Sequence, residues 1–72
     1  MVYPVPLTDQ LACVQRELRM RTKAYPRWIQ AGRLTDANAR HEIEAMAAVV
    51  ETLRLLVASE AAQAAGQLAL LP

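Results

Sequence analysis

Few residues in this chain of 72 are of types that do chemistry. His41 stands beside Glu42 and one helical turn before Glu44, a grouping that would suit metal binding or acid–base work. No second histidine follows in the His-Glu-x-x-His spacing, and on a helical wheel His41 lies opposite Val50, on the solvent side. A solvated helix-surface histidine accounts for it. Cys13 has Arg16 one turn away, which would favour its thiolate slightly, but no histidine or second cysteine lies near it in sequence. Its place off the main apolar stripe reads as a partly buried, inert thiol. One cysteine and one histidine cannot build a four-ligand zinc site, Ser59 is the only serine, and no glycine-rich phosphate loop occurs. The sequence therefore predicts a non-enzymatic protein, with no metal, no cofactor and no small-molecule substrate.

Cations are the sharper signal. Arg16, Arg19, Lys23 and Arg27 fall on one helix face, opposite Leu11, Val14 and Leu18. Such a stripe could follow a nucleic-acid backbone, with Tyr25 and Trp28 beside it to stack on bases. The plainer and favoured reading is a solvated face with the aromatics closing the open end of a hairpin. No second helix with recognition-type polar residues follows a short turn, so a helix-turn-helix reader is not supported. Net charge is +1, but it is unevenly spread: the first half is basic, and the second carries Asp36, Glu42, Glu44, Glu51 and Glu60. The expectation is two halves packed side by side with complementary charges.

The elements that would hold these residues are helices. Pro4 and Pro6 make residues 1–7 an extended arm. Leu7-Thr8-Asp9 reads as a helix start, with Thr8 as cap, Asp9 at the positive end of the dipole and Leu7 in the staple position. The first helix is expected over about 9–24, where Leu11, Val14, Leu18 and Tyr25 form a stripe and Glu17 can pair with Arg21. Pro26 then either kinks it, with continuation to 31 through Ile29, or ends it. Gly32 stops the segment in either case. Leu34-Thr35-Asp36 repeats the start signal, though two copies of a common capping pattern do not make a repeat. The second helix is expected over about 36–63, the hairpin domain over 8–65, and a tail over 66–72 whose Leu68, Leu70 and Leu71 either fray or pack on a neighbour.

The second helix carries the most informative pattern. Ala39, Ile43, Met46, Ala47, Val50, Leu53 and Val57 make its apolar face, and Val49 and Leu56 widen it on one side. The arc approaches roughly 180°, against about 100° for a helix with one buried stripe. One short partner helix cannot cover it. A chain this small also lacks the internal disulfide or metal that would staple it, which leaves well-idealised helix packing or association with another chain. The expected architecture is all-α: an antiparallel helical hairpin, kinked near Tyr25-Pro26, pairing into a four-helix bundle. The interface, with a second copy or another protein, falls on Met46, Val49, Val50, Leu53, Leu56 and Val57. No signal peptide is visible at the start, and Glu51 and Arg54 interrupt the longest apolar stretch, so no membrane span and a cytoplasmic setting are expected. A leucine-rich tail without basic residues after Arg54 argues against a membrane-surface helix.

One stretch has a familiar form. Tyr25-Pro26, a few mixed residues, Gly32-Arg33 and then a Thr35-capped helix with an early Ala39 follow a basic helix end. This run resembles small, uncharacterised helical proteins encoded by bacteriophages and prophages. The likeness covers about residues 15–57. It implies a phage-type origin and a helical hairpin, and it carries over no catalytic or binding residues. With the wide apolar arc it points to a small accessory protein that binds a host or phage protein.

Overall fold

The structure, a computed structural model, describes residues 3–69. It consists of two α-helices, α1 over Leu7–Gln30 and α2 over Asp36–Ala69, packed against each other in an antiparallel hairpin. No strand occurs among the described residues. The expected all-helical hairpin is therefore present.

Helix α1 begins earlier than the capping pattern suggested. Pro6, not Thr8, precedes it, and no side chain caps this end. The Pro6 carbonyl accepts the N–H groups of Asp9 and Gln10, both at 3.0 Å. Thr8 lies inside the first turn. Starting at Pro6 places Leu7 within the helix, where only 3% of it stays exposed. Burying a leucine is worth about 2 kcal/mol, more than the roughly 1 kcal/mol of a threonine cap. The arm is tied down by the Gln10 side-chain amide, which donates to the Val5 carbonyl at 2.8 Å.

Pro26 does not end α1, which runs on to Gln30. Its missing N–H leaves the Thr22 carbonyl without its helical donor. Packing on both sides of the proline offsets this. Tyr25 is buried and Ile29 is half-buried. The Tyr25 and Trp28 rings lie 5.3 Å apart at a tilt of 39°. The Thr22 hydroxyl donates to the Leu18 carbonyl at 2.7 Å.

The turn follows its expected chemistry. Gly32 has φ +73°, the left-handed conformation. Its N–H reaches the Ile29 carbonyl at 3.0 Å, and the Arg33 N–H reaches that of Trp28 at 2.9 Å. These two bonds form a Schellman closure. Thr35 then caps α2, its hydroxyl oxygen accepting from the Asn38 N–H at 3.1 Å. Buried Ala39 lies one turn on and lets α2 approach Tyr25.

Helix α2 is longer than expected, continuing through Gly66 to Ala69. Residues 66–69, assigned to a tail by sequence, are helical. Tyr3, Leu7, Leu56, Ser59, Glu60 and Gln63 line one shallow depression where α2 passes the start of α1. The molecule is a rod with extents of 63 × 18 × 17 Å. Met1, Val2, Leu70, Leu71 and Pro72 fall outside the described residues, as does the side chain of Leu68.

Replacing Thr35 by alanine removes the cap of α2 and should lower stability by about 1 kcal/mol. Urea unfolding followed by circular dichroism measures this. An unchanged midpoint would show that the Thr35 hydroxyl contributes nothing.

Candidate functional site: an apolar face and a basic stripe

The hairpin seam hides little. Among the described residues only Leu7, Tyr25 and Ala39 are buried, and no side chain is completely enclosed. Met46, Val50, Leu53 and Val57 face α1 and are half-buried. Val49 and Leu56, on the edge of the same face, keep 45% and 40% of their surface exposed. Ala47, expected on the covered face, is exposed. One seam thus leaves part of the wide α2 arc in solvent, as its width required.

The uncovered edge continues across α1. Val49 and Leu53 join Cys13, Val14, Val5 and Pro4 in a shallow apolar groove at the arm end of the hairpin. Cys13, expected to be partly buried, is exposed on its border. Its position is turned too far from the seam for α2 to cover it.

The basic stripe is formed as the spacing implied. Arg16, Arg19, Lys23 and Arg27 are all exposed, on the side of α1 away from α2. Beside them, on one flank, lie two large apolar side chains. Met20 is 57% exposed and Trp28 42% exposed. With Ala24, Lys23 and Arg27 they line a second depression, at the turn end. Met20 was absent from the sequence-level selection. Its spacing of four and eight residues from Ala24 and Trp28 is the signal that would have found it.

Charge pairing differs from expectation. Glu17 and Arg21 form an ion pair at 3.0 Å, within α1. The hydrogen bond to Glu17 raises the Arg21 pKa above its ordinary value. Among the described residues no ion pair joins α1 to α2. The two halves of the chain therefore do not neutralise each other across the seam. The seam is an apolar stripe, and most of the charged side chains stand on outer faces where they cannot meet.

His41 is exposed. Among the described residues no three His, Cys, Asp or Glu side chains come together as a metal site, and no helix is long and apolar enough to cross a membrane. Leu55, 64% exposed, was also missed. It stands on the back of α2, outside the apolar arc.

These features define a two-helix hairpin with a partly uncovered apolar face. Comparison with protein-family models, curated proteins and solved structures found no match.

With the Cys13 thiol exposed, the dilute native protein should react with an aromatic disulfide reagent about as fast as the unfolded chain. Protection by tenfold or more would show that the arm or α2 covers it.

Proposed function

We propose that this chain is a non-enzymatic protein–protein interaction module whose working surface is the apolar face of α2. The observation that carries this reading is the exposure of Val49 and Leu56 beside half-buried Met46, Val50, Leu53 and Val57. The accessible surface is 5819 Å². A compact globule of this mass would expose about 4,400 Å². The excess comes from the rod shape and the α2 turns beyond α1 as well as from the uncovered face.

The proposed assembly is a four-helix bundle of two hairpins, with α1 bent at Tyr25-Pro26, where the helical hydrogen bond is missing. Pairing through the arm-end groove covers Val49, Leu53 and Leu56 together with Cys13. The biological reading is a small accessory protein of bacteriophage or prophage type, acting on a host or phage protein in the cytoplasm. It rests on the Tyr25-Pro26 to Thr35 turn and on the apolar face.

The Leu53→Asp chain should lose both assembly and helicity, because Leu53 serves the seam and the outer face together. Leu56→Asp isolates the outer face: helicity stays and the solution mass falls to that of one chain. Light scattering behind size exclusion, run in high salt, reads the mass. A wild-type monomer at micromolar concentration, or a Leu56→Asp protein of unchanged size, would overturn the bundle.

A second reading has its own observation. Arg16, Arg19, Lys23 and Arg27 are exposed, and the Glu17–Arg21 ion pair does not involve them. A nucleic-acid backbone could lie along them. In that case a gel shift appears at low salt, weakens steeply as salt rises, and disappears on reversal of Arg19 and Lys23. Binding that ignores salt, or no binding, removes this reading.

A further inference from the structure

The charge asymmetry of the chain, left unresolved by the seam, points to a second kind of contact between copies. We propose that the turn-end patch of α1 docks onto the back of α2 of another copy, head to tail.

The patch on α1 consists of Met20, Ala24 and Trp28, bordered by Lys23 and Arg27. Glu17, at its other edge, is already held by Arg21, so the patch presents uncompensated positive charge along one side of an apolar strip. Tyr25 holds the Trp28 indole from one side, with ring centres 5.3 Å apart. A pinned aromatic beside cations has the composition of an interface anchor. Met20 adds an adaptable apolar contact. Stacking on a base has no use for Met20, which favours a protein occupant over a polyanion.

The complementary surface lies on the same molecule. At 100° per residue, Glu44, Ala48, Glu51 and Leu55 fall within an arc of about 60° on the back of α2. All four are exposed, and Leu55, at 64%, is the most exposed large apolar side chain among the described residues. Arg40 and Arg54 sit on the edge nearer α1. The strip thus ends in an apolar side chain, with carboxylates one turn and about three turns before it. Met20 to Trp28 spans about 12 Å along the helix axis, and Glu44 to Leu55 about 16 Å. The two are comparable in length and opposite in charge, and each carries exposed apolar side chains.

The surfaces are on opposite sides of one hairpin, so a molecule cannot satisfy them internally. Each copy offers one face and receives the other, which makes the contact heterologous and able to continue from copy to copy. It shares no residue with Val49, Leu53 and Leu56. The proposal therefore does not depend on the bundle: the bundle is apolar and survives high salt, whereas the head-to-tail contact is charge-assisted and does not.

Two variants test it. Lys23→Glu with Arg27→Glu disables the α1 patch, and Leu55→Asp disables the α2 strip. Both alter exposed positions, and circular dichroism checks that each retains its helices. Wild-type mass at low salt should rise with concentration and fall back in about 1 M salt, where charges are screened beyond about 3 Å. Each variant alone should show no salt-dependent growth. Mixed, they should bind each other at low salt, because one retains an intact strip and the other an intact patch. Trp28, the only tryptophan in the chain, should shift its emission to shorter wavelength as the wild type assembles. Wild-type mass that is independent of salt, or variants that do not bind on mixing, would overturn the proposal. So would a Trp28 shift that appears only when a single-stranded oligonucleotide is added. Loss of the salt-resistant species in Leu56→Asp, with the salt-dependent one retained, would separate the two contacts.

Discussion

Two helices share one seam, and a seam covers only one stripe of each. Every other feature of this molecule follows from that limit. With three buried side chains, Leu7, Tyr25 and Ala39, the hairpin has no interior from which water is fully excluded. Leu7 and Tyr25 secure the two ends of α1, and Ala39 allows close approach beside Tyr25. Between them the contact is a line of half-buried aliphatic side chains. Side chains off that line remain in solvent whatever their type, which is why methionine, tryptophan and leucine appear on the outside.

Much of this was legible in the sequence, because it is local. The Gly32 turn and the Thr35 cap are set by residues within a few positions of each other, and both are formed as their chemistry requires. The width of the α2 apolar arc also read directly, since periodicity is a property of the helix alone. What failed to read were choices between competing terms. Thr8 offered a cap, but burial of Leu7 moved the start of α1 ahead of it. Pro26 offered a stop, but Tyr25 and Ile29 on either side of it held the helix together. The second helix was expected to end near 63, and it continues through Gly66 to Ala69.

Charge was the least legible quantity. A basic half and an acidic half suggested pairing across the hairpin, yet pairing depends on which direction each side chain faces. Arg16, Arg19 and Lys23 point away from α2, and Glu44 and Glu51 lie on the far side of α2. Composition records the amounts and says nothing of the facing. The candidate surfaces share this difficulty. Met20 and Leu55 are isolated apolar residues among polar neighbours, and only their place relative to the seam separates them from ordinary exposed side chains.

The unequal lengths of the two helices have a consequence for how order is distributed along α2. Its last turns, from Ala64 onward, lie beyond the start of α1 and are exposed at every described side chain. A segment that short does not nucleate a helix in water by itself, and Gly66 weakens it by about 1 kcal/mol relative to alanine. Its helicity is propagated from the packed turns before it. Backbone amides should accordingly exchange with solvent along a gradient, slowest near Ile43 to Val50 and fastest toward Ala69, rather than in a single cooperative opening. A partner that gripped this end would lengthen the cooperative unit by several turns without altering the fold.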